Sequence, residues 1–175
     1  MFERTIKSKR LFRGRIIGLR EDTVRLSNGV ISKREIVEHP GAVCVIAITN
    51  KNELVLIRQF RRSANRVLLE IPAGLVHKGE SWRAGALREL AEETGYKAKK
   101  IRELFWGYSS PGYSTEIIRF FLATGLKKTE QNTDEDEMID VLLVPLKKSA
   151  ELIKKGRVRD NKTIAGILAA NLWKK

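Results

Sequence analysis

Residues 74–96 read GLVHKGESWRAGALRELAEETGY, and the whole chain is interpreted outward from this stretch. Ser81 to Thr94 favours a helix. Ser81 suits the N-cap, Gly95 suits the left-handed residue that ends a helix, and Ala86, Leu87, Leu90 and Ala91 share an apolar face. At roughly 100° per residue, Glu89, Glu92 and Glu93 fall within one arc of about 100°, largely opposite that face, so Glu93 is expected to look into solvent. Glu89 and Glu93 are a like-charge pair four residues apart, costing ~0.2–0.5 kcal/mol in an isolated helix, and Arg88 four before Glu92 offsets only part of this. Three glutamates on a helix are ordinarily no more than a solvated face. Concentrated like this they make sense if cations neutralise them, and carboxylates are hard oxygen ligands suited to Mg²⁺ or Mn²⁺. His39 and His77 are the two histidines and Cys44 the one cysteine, so no Cys/His ligand set competes. Gly74 and Gly79 flank a short loop that could fold back and set Glu80 beside the acidic face.

Around this helix the chain alternates strand and turn signals. Residues 4–38 read as short antiparallel strands, with Val24, Leu26, Val30 and Ile36 apolar among polar neighbours and Asn28-Gly29 signalling a two-residue hairpin loop. Pro40-Gly41 closes that segment, so residues 1–40 are expected to form a small sheet ahead of a main domain at 41–175. Gly41 to Thr49 is nearly all apolar, as for a strand buried on both faces. Glu53–Phe60, Val67–Ile71, Ile101–Tyr108, Ile117–Ala123 and Met138–Val144 read as strands, and Lys148–Lys155 and Asp160 or Asn161 to Trp173 as closing helices. The expected fold is α/β, a mixed sheet with helices packed on it.

The 74–96 segment resembles the Nudix box at every defining position: Gly74, Glu80, Arg88-Glu89-Leu90, Glu92-Glu93, Gly95 and the apolar Tyr96. The resemblance implies a mixed sheet sandwiched between helices and hydrolysis of a nucleoside diphosphate linked to another group. It implies that Glu89 and Glu93 bind metal directly, that Glu92 does so directly or through water, and that the Ala73 carbonyl is a further ligand. Gly74, Glu80, Arg88 and Gly95 are then structural, with Arg88 pairing to glutamates. The cofactor implied is Mg²⁺, with Mn²⁺ the alternative, at two or three ions per site, lowering the pKa of an attacking water.

Outside the box the chain resembles the ADP-ribose pyrophosphatase branch. Ser110-Pro111-Gly112 follows the box with the acid Glu116 behind it; Arg58-Gln59-Phe60-Arg61 precedes Leu69-Glu70-Ile71-Pro72-Ala73-Gly74; Asp160-Asn161-Lys162-Thr163-Ile164 opens the last helix. The resemblance implies that Arg61 contacts the diphosphate and Glu116 the terminal ribose, and places Glu70, Leu75, Pro111 and Gly112 among the substrate contacts. Asp134-Glu135-Asp136-Glu137 is by composition an acidic turn; by resemblance it brings Glu135 as catalytic base, with Glu92 and Glu93 in the catalytic set, and Glu137 as a metal ligand. The N-terminal sheet is implied to form a homodimer and part of the substrate pocket.

The formal net charge is +13 and lies at the two ends: +5 over residues 1–40, +2 over 41–96, −1 over 97–145 and +7 over 146–175. Such charge attracts polyanions or simply solvates the surface; the weak charge around the box favours a small nucleoside diphosphate sugar over nucleic acid. A different nucleoside diphosphate, capped or triphosphorylated RNA, and a non-catalytic nucleotide sensor are the alternatives. No apolar run approaches the ~20 residues of a membrane span, and no signal peptide is visible, so a cytoplasmic location without membrane contact is expected.

Overall fold

The computed structural model describes residues 2–133 and 138–173. Its elements are β1 (Glu3–Arg13), β2 (Gly18–Leu26), β3 (Ile31–Glu38), β4 (Ala42–Ala47), β5 (Glu53–Arg61), β6 (Arg66–Glu70), β7 (Ala73–Leu75), α1 (Trp82–Thr94), β8 (Tyr96–Tyr108), β9 (Ile117–Lys128), β10 (Ile139–Pro145), α2 (Leu146–Lys154) and α3 (Asn161–Leu172). The chain divides into two compact units, Met1–Ala42 with Trp106–Ile118, and Val43–Phe105 with Arg119–Lys175.

The first unit contains the antiparallel sheet β1-β2-β3. The β2–β3 loop differs from the expected two-residue form: Leu26 pairs with Val30 around Ser27-Asn28-Gly29, the Gly29 amide donating to the Leu26 carbonyl at 2.9 Å. The physical reason lies in the backbone. A two-residue type I′ loop needs positive φ at both central residues, and here only Gly29 has it, at 86°. Along β1 every residue is exposed, including the apolar Ile6, Leu11 and Phe12.

In the second unit β4 is buried on both faces, as its apolar run demands. Val43, Val45 and Ala47 pack with Val55, Phe121 and Ala123 against Ala86 and Leu90 of α1. On the opposite face α3 closes down so tightly that a Cβ on Gly166 would lie 2.7 Å from Ile71 Cδ1 and 3.4 Å from Ile46 Cγ1. Sheet β7-β4-β9-β8 is thus held between α1 and α3, with sheet β10-β5-β6 beside it. Strands β8 and β9 are longer than their apolar cores suggest, β8 beginning directly at Tyr96 and β9 running on to Lys128. Sheet pairing, a long-range effect, carries these polar flanks into strand geometry.

Candidate functional site

Helix α1 starts and stops as its sequence dictates. Ser81 Oγ accepts from the Ala84 amide at 3.2 Å, and Gly95 adopts φ 63° while its amide donates to the Ala91 carbonyl. No other residue suits position 95, since a Cβ there would also lie 2.7 Å from the Thr129 carbonyl. Beyond Gly95, the last-turn carbonyls that a helix leaves without partners are taken up by residues far along the chain. Lys128 Nζ donates to the Thr94 carbonyl, Gln131 Nε2 to that of Glu93 and the Asn132 amide to that of Glu92, at 2.9, 2.8 and 3.1 Å. Thus the chain just before residue 134 is bonded to the acidic helix. Glu135 and Glu137 themselves lie outside the described residues.

Arg88 is the hub of the site. Its Nε and Nη2 donate to Glu80 at 3.1 Å each, Nη2 donates to the Leu75 carbonyl at 2.8 Å, and Nη1 donates to Glu89 at 2.7 Å and Glu92 at 2.9 Å. The hydrogen bond from Arg88, reinforced by the His77 amide, holds the Glu80 carboxyl below the usual carboxylate range. The same bonds push the Arg88 guanidinium up, so it stays charged throughout the accessible pH range. Gly85 leaves room for Glu80: a Cβ there would stand 3.1 Å from its Oε2.

Glu93 corrects the expectation of a solvent-facing arc. It is only 3% exposed, and its Oε2 accepts from the Ala73 amide at 2.9 Å. Helical angle alone misplaces it because β7 folds over that part of the helix. Glu89 lies close against Gly74, where an added Cβ would overlap its carboxylate, whereas Glu92 is the most open of the three, with a side chain 40% exposed. Ala73, Gly74, Leu75, Glu80, Arg88, Glu89, Glu92 and Glu93 are therefore brought together around one strand–loop–helix unit. Carboxylate oxygens are hard donors of the kind that suits a divalent Mg²⁺-like ion. Among the described residues no three acidic, His or Cys side chains stand gathered as a ready-made metal cluster; Arg88 and the Ala73 amide hold the glutamates instead.

Arg61 and Glu70 form a bidentate pair, Nε and Nη2 reaching the two carboxylate oxygens at 3.0 and 2.7 Å. Glu70 is buried, and its hydrogen bonds raise the Arg61 pKa, with Glu93 and Asp160 contributing at longer range. Pro111, Gly112 and Glu116 belong to the first unit, where Glu116 Oε1 lies 3.6 Å from His39 Nδ1.

A support invisible in the sequence reaches this site from α3. Asp160 Oδ2, the N-cap, accepts from the Thr163 amide and hydroxyl at 2.9 and 2.7 Å, and Thr163 Oγ1 accepts from the Ile71 amide at 2.8 Å, two residues before Ala73. Burial works against the Asp160 charge, but Lys162 at 2.7 Å and the Thr163 bonds prevail and lower its pKa. A lowered carboxylate pKa contributes stability that is present above the ordinary value of 3.8 and is lost as pH falls through the lowered value. Wild-type Tm is therefore expected to fall below pH 3.8 more steeply than that of Asp160→Asn, in melts of both proteins across that range; parallel curves would show that Asp160 has no linked role.

A NUDIX domain family pattern matches residues 38–166, and a nucleoside diphosphate sugar hydrolase N-terminal domain matches residues 3–37. The chain is 46% identical over 167 residues to a methanol dehydrogenase activator of Bacillus methanolicus, covering 94% of this chain and 90% of that protein. It is 44% identical, over the same length and with the same coverage, to an ADP-ribose pyrophosphatase of Bacillus subtilis (strain 168). In fold it is similar to a solved ADP compounds hydrolase, with TM-score 0.88, 23% identity and coverage of 99% of this chain and 94% of the other.

Proposed function

The chain belongs to the Nudix family, and on that premise we propose that it hydrolyses the pyrophosphate bond of ADP-ribose to AMP and ribose 5-phosphate. The observation that carries this reading is the glutamate set held around Arg88 and the Ala73–Leu75 strand, joined to an N-terminal domain of the nucleoside diphosphate sugar hydrolase kind. The ADP-ribose pyrophosphatase relative supports the choice of sugar nucleotide.

Glu89, Glu92 and Glu93, with the Ala73 carbonyl, would hold Mg²⁺ or Mn²⁺, two or three ions in the full site. When bound, such ions neutralise the diphosphate and lower the pKa of a water molecule. The residues themselves do the positioning. Arg88, itself bonded to the Leu75 carbonyl, donates to both Glu89 and Glu92, so both are oriented before any ligand arrives. Glu70 fixes the Arg61 guanidinium in one plane for the diphosphate. Glu116 would contact the terminal ribose, the loop of Pro111 and Gly112 would shape the sugar end, Leu75 would be a further substrate contact, Glu135 would accept the proton of the attacking water, and Glu137 would add a ligand. A panel of ADP-ribose, other nucleoside diphosphate sugars and 5′-triphosphate RNA, each with Mg²⁺, tests the reading. ADP-ribose should be preferred, and Glu135→Gln should lower its turnover more than Glu137→Gln; preference for RNA, or no turnover of any member, would overturn it.

Gly74→Ala should act on the same site. The new Cβ would occupy the place of the Glu89 carboxylate, and because that carboxylate ends a flexible side chain, it should move rather than the backbone. Turnover is expected to drop about tenfold or more, ~1.4 kcal/mol of barrier, with Tm nearly unchanged; full activity would show that Glu89 is not needed where it stands.

We also propose that the protein acts as a homodimer in the cytoplasm. The exposed apolar side chains of β1, on a long edge strand, support an interface there. No helix among the described residues is long and apolar enough to cross a membrane. Sedimentation at micromolar concentration should give a dimer, and Ile6→Lys with Phe12→Lys should shift it toward monomer; a fully active wild-type monomer would refute this.

A further inference from the structure

We propose that the second unit carries a separate binding cleft for an aromatic anion of nucleoside monophosphate size, formed by Ile48, Lys51, Leu122, Leu146, Lys147 and Trp173. The cleft has a volume of about 680 Å³, within the range of small-molecule sites. It shares Leu122 and Thr124 with a smaller recess of about 140 Å³ bordered by Lys100 and Arg102.

The cleft is distinct from the glutamate site. Along β9, Phe121 and Ala123 face the core under α1. Side chains alternate along a strand, so Leu122 and Thr124 point to the opposite face, away from α1 and its glutamates. Trp173 is fixed there by ring stacking: Phe120 lies on Phe105 at 4.4 Å and Phe105 on Trp173 at 5.9 Å, each pair within 17° of parallel. Even so, Trp173 remains 45% exposed.

The chemistry of the lining selects the occupant. An apolar floor with a fixed indole favours a flat hydrophobic ring. Lys51 and Lys147 stand at the rim, Lys100 and Arg102 at the adjoining recess, no acidic residue lines either hollow, and among the described residues none of the four cations has an acidic partner. A purely apolar ligand leaves those cations without purpose, and a bare inorganic anion leaves the indole and leucines without one. A ring joined to a phosphate satisfies both, and the Asn52 amide and Thr124 hydroxyl can bond the edge of a base or a ribose.

The test uses AMP on the full chain, in EDTA and without turnover, read by calorimetry. This readout does not depend on the reaction proposed above, so either can fail alone. AMP should bind at one site per chain, more weakly as salt rises. Lys51→Glu with Lys147→Glu should weaken it about tenfold or more, and Trp173→Ala severalfold, whereas Glu93→Gln leaves it unchanged. Lys51→Ala with Lys147→Ala, milder changes at exposed positions, guards against misfolding and should weaken binding in the same direction. Adenosine and inorganic phosphate should each bind about tenfold or more weakly than AMP. Absence of binding to the folded protein, binding abolished by Glu93→Gln but not by the lysine changes, or phosphate binding as tightly as AMP would overturn the proposal.

Discussion

Glu93→Gln should lower ADP-ribose turnover by about a hundredfold or more, ~2.7 kcal/mol of barrier, while the protein stays folded. The side chain is almost fully buried, and its Oε2 accepts from the Ala73 amide. Glutamine can keep that acceptor, so β7 stays anchored to α1 and only the charge is lost. Glu93→Ala makes the contrast, because it leaves the Ala73 amide without its partner at a cost of about 1–3 kcal/mol. The measurement is kcat at saturating Mg²⁺ alongside a melt for each variant. If Glu93→Gln retains more than about a tenth of the activity, the charge at this position is not part of the chemistry.

Arg88→Met should be strongly destabilising. Methionine keeps much of the bulk but removes all the donors that serve Glu80, Glu89, Glu92 and the Leu75 carbonyl. Glu80 and Glu92 would then lose the counter-charge that Arg88 supplies, and Glu89 one of its bonds. Removing one partner of a fully buried ion-pair network costs about 3–5 kcal/mol. The Arg88 side chain is 22% exposed, so about 3 kcal/mol is expected, or roughly 6–12 °C in Tm for a chain of this size. Divalent cations should recover part of the loss, raising the Tm of the variant more than that of the wild type. A loss below about 1 kcal/mol would mean that these pairs behave as surface salt bridges.

The two variants separate features that differ in how they could be foreseen. Arg88 and its three glutamates are close along the chain, at one, four and eight residues, so helix geometry and a short loop suffice to bring them together. Glu93 is equally visible as a residue, yet its burial is not, because the covering strand β7 comes from twenty residues upstream. Gln59 shows the same limit. It reads as one polar position in a strand, yet its side chain is buried, with no partner for its Oε1 among the described residues. Likewise the expected Asn28-Gly29 loop was right in place and one residue short in length, since the choice between turn types rests on the backbone of the flanking strands.

Helix α1, its cap at Ser81, its stop at Gly95, the acidic spacing of Glu89, Glu92 and Glu93, and the pairing of Arg88 with Glu89 and Glu92 are all legible in the local sequence. All of these are set by contacts within a few residues, where periodicity and capping decide. Long-range packing, by contrast, buries Glu93, sets Glu89 against Gly74, ties α3 to Ile71 through Thr163, and brings residues 128–132 to the last carbonyls of α1. Those contacts join segments some fifteen to ninety residues apart, and which buried polar groups meet there depends on how the sheet and helices pack, a choice that no local pattern encodes.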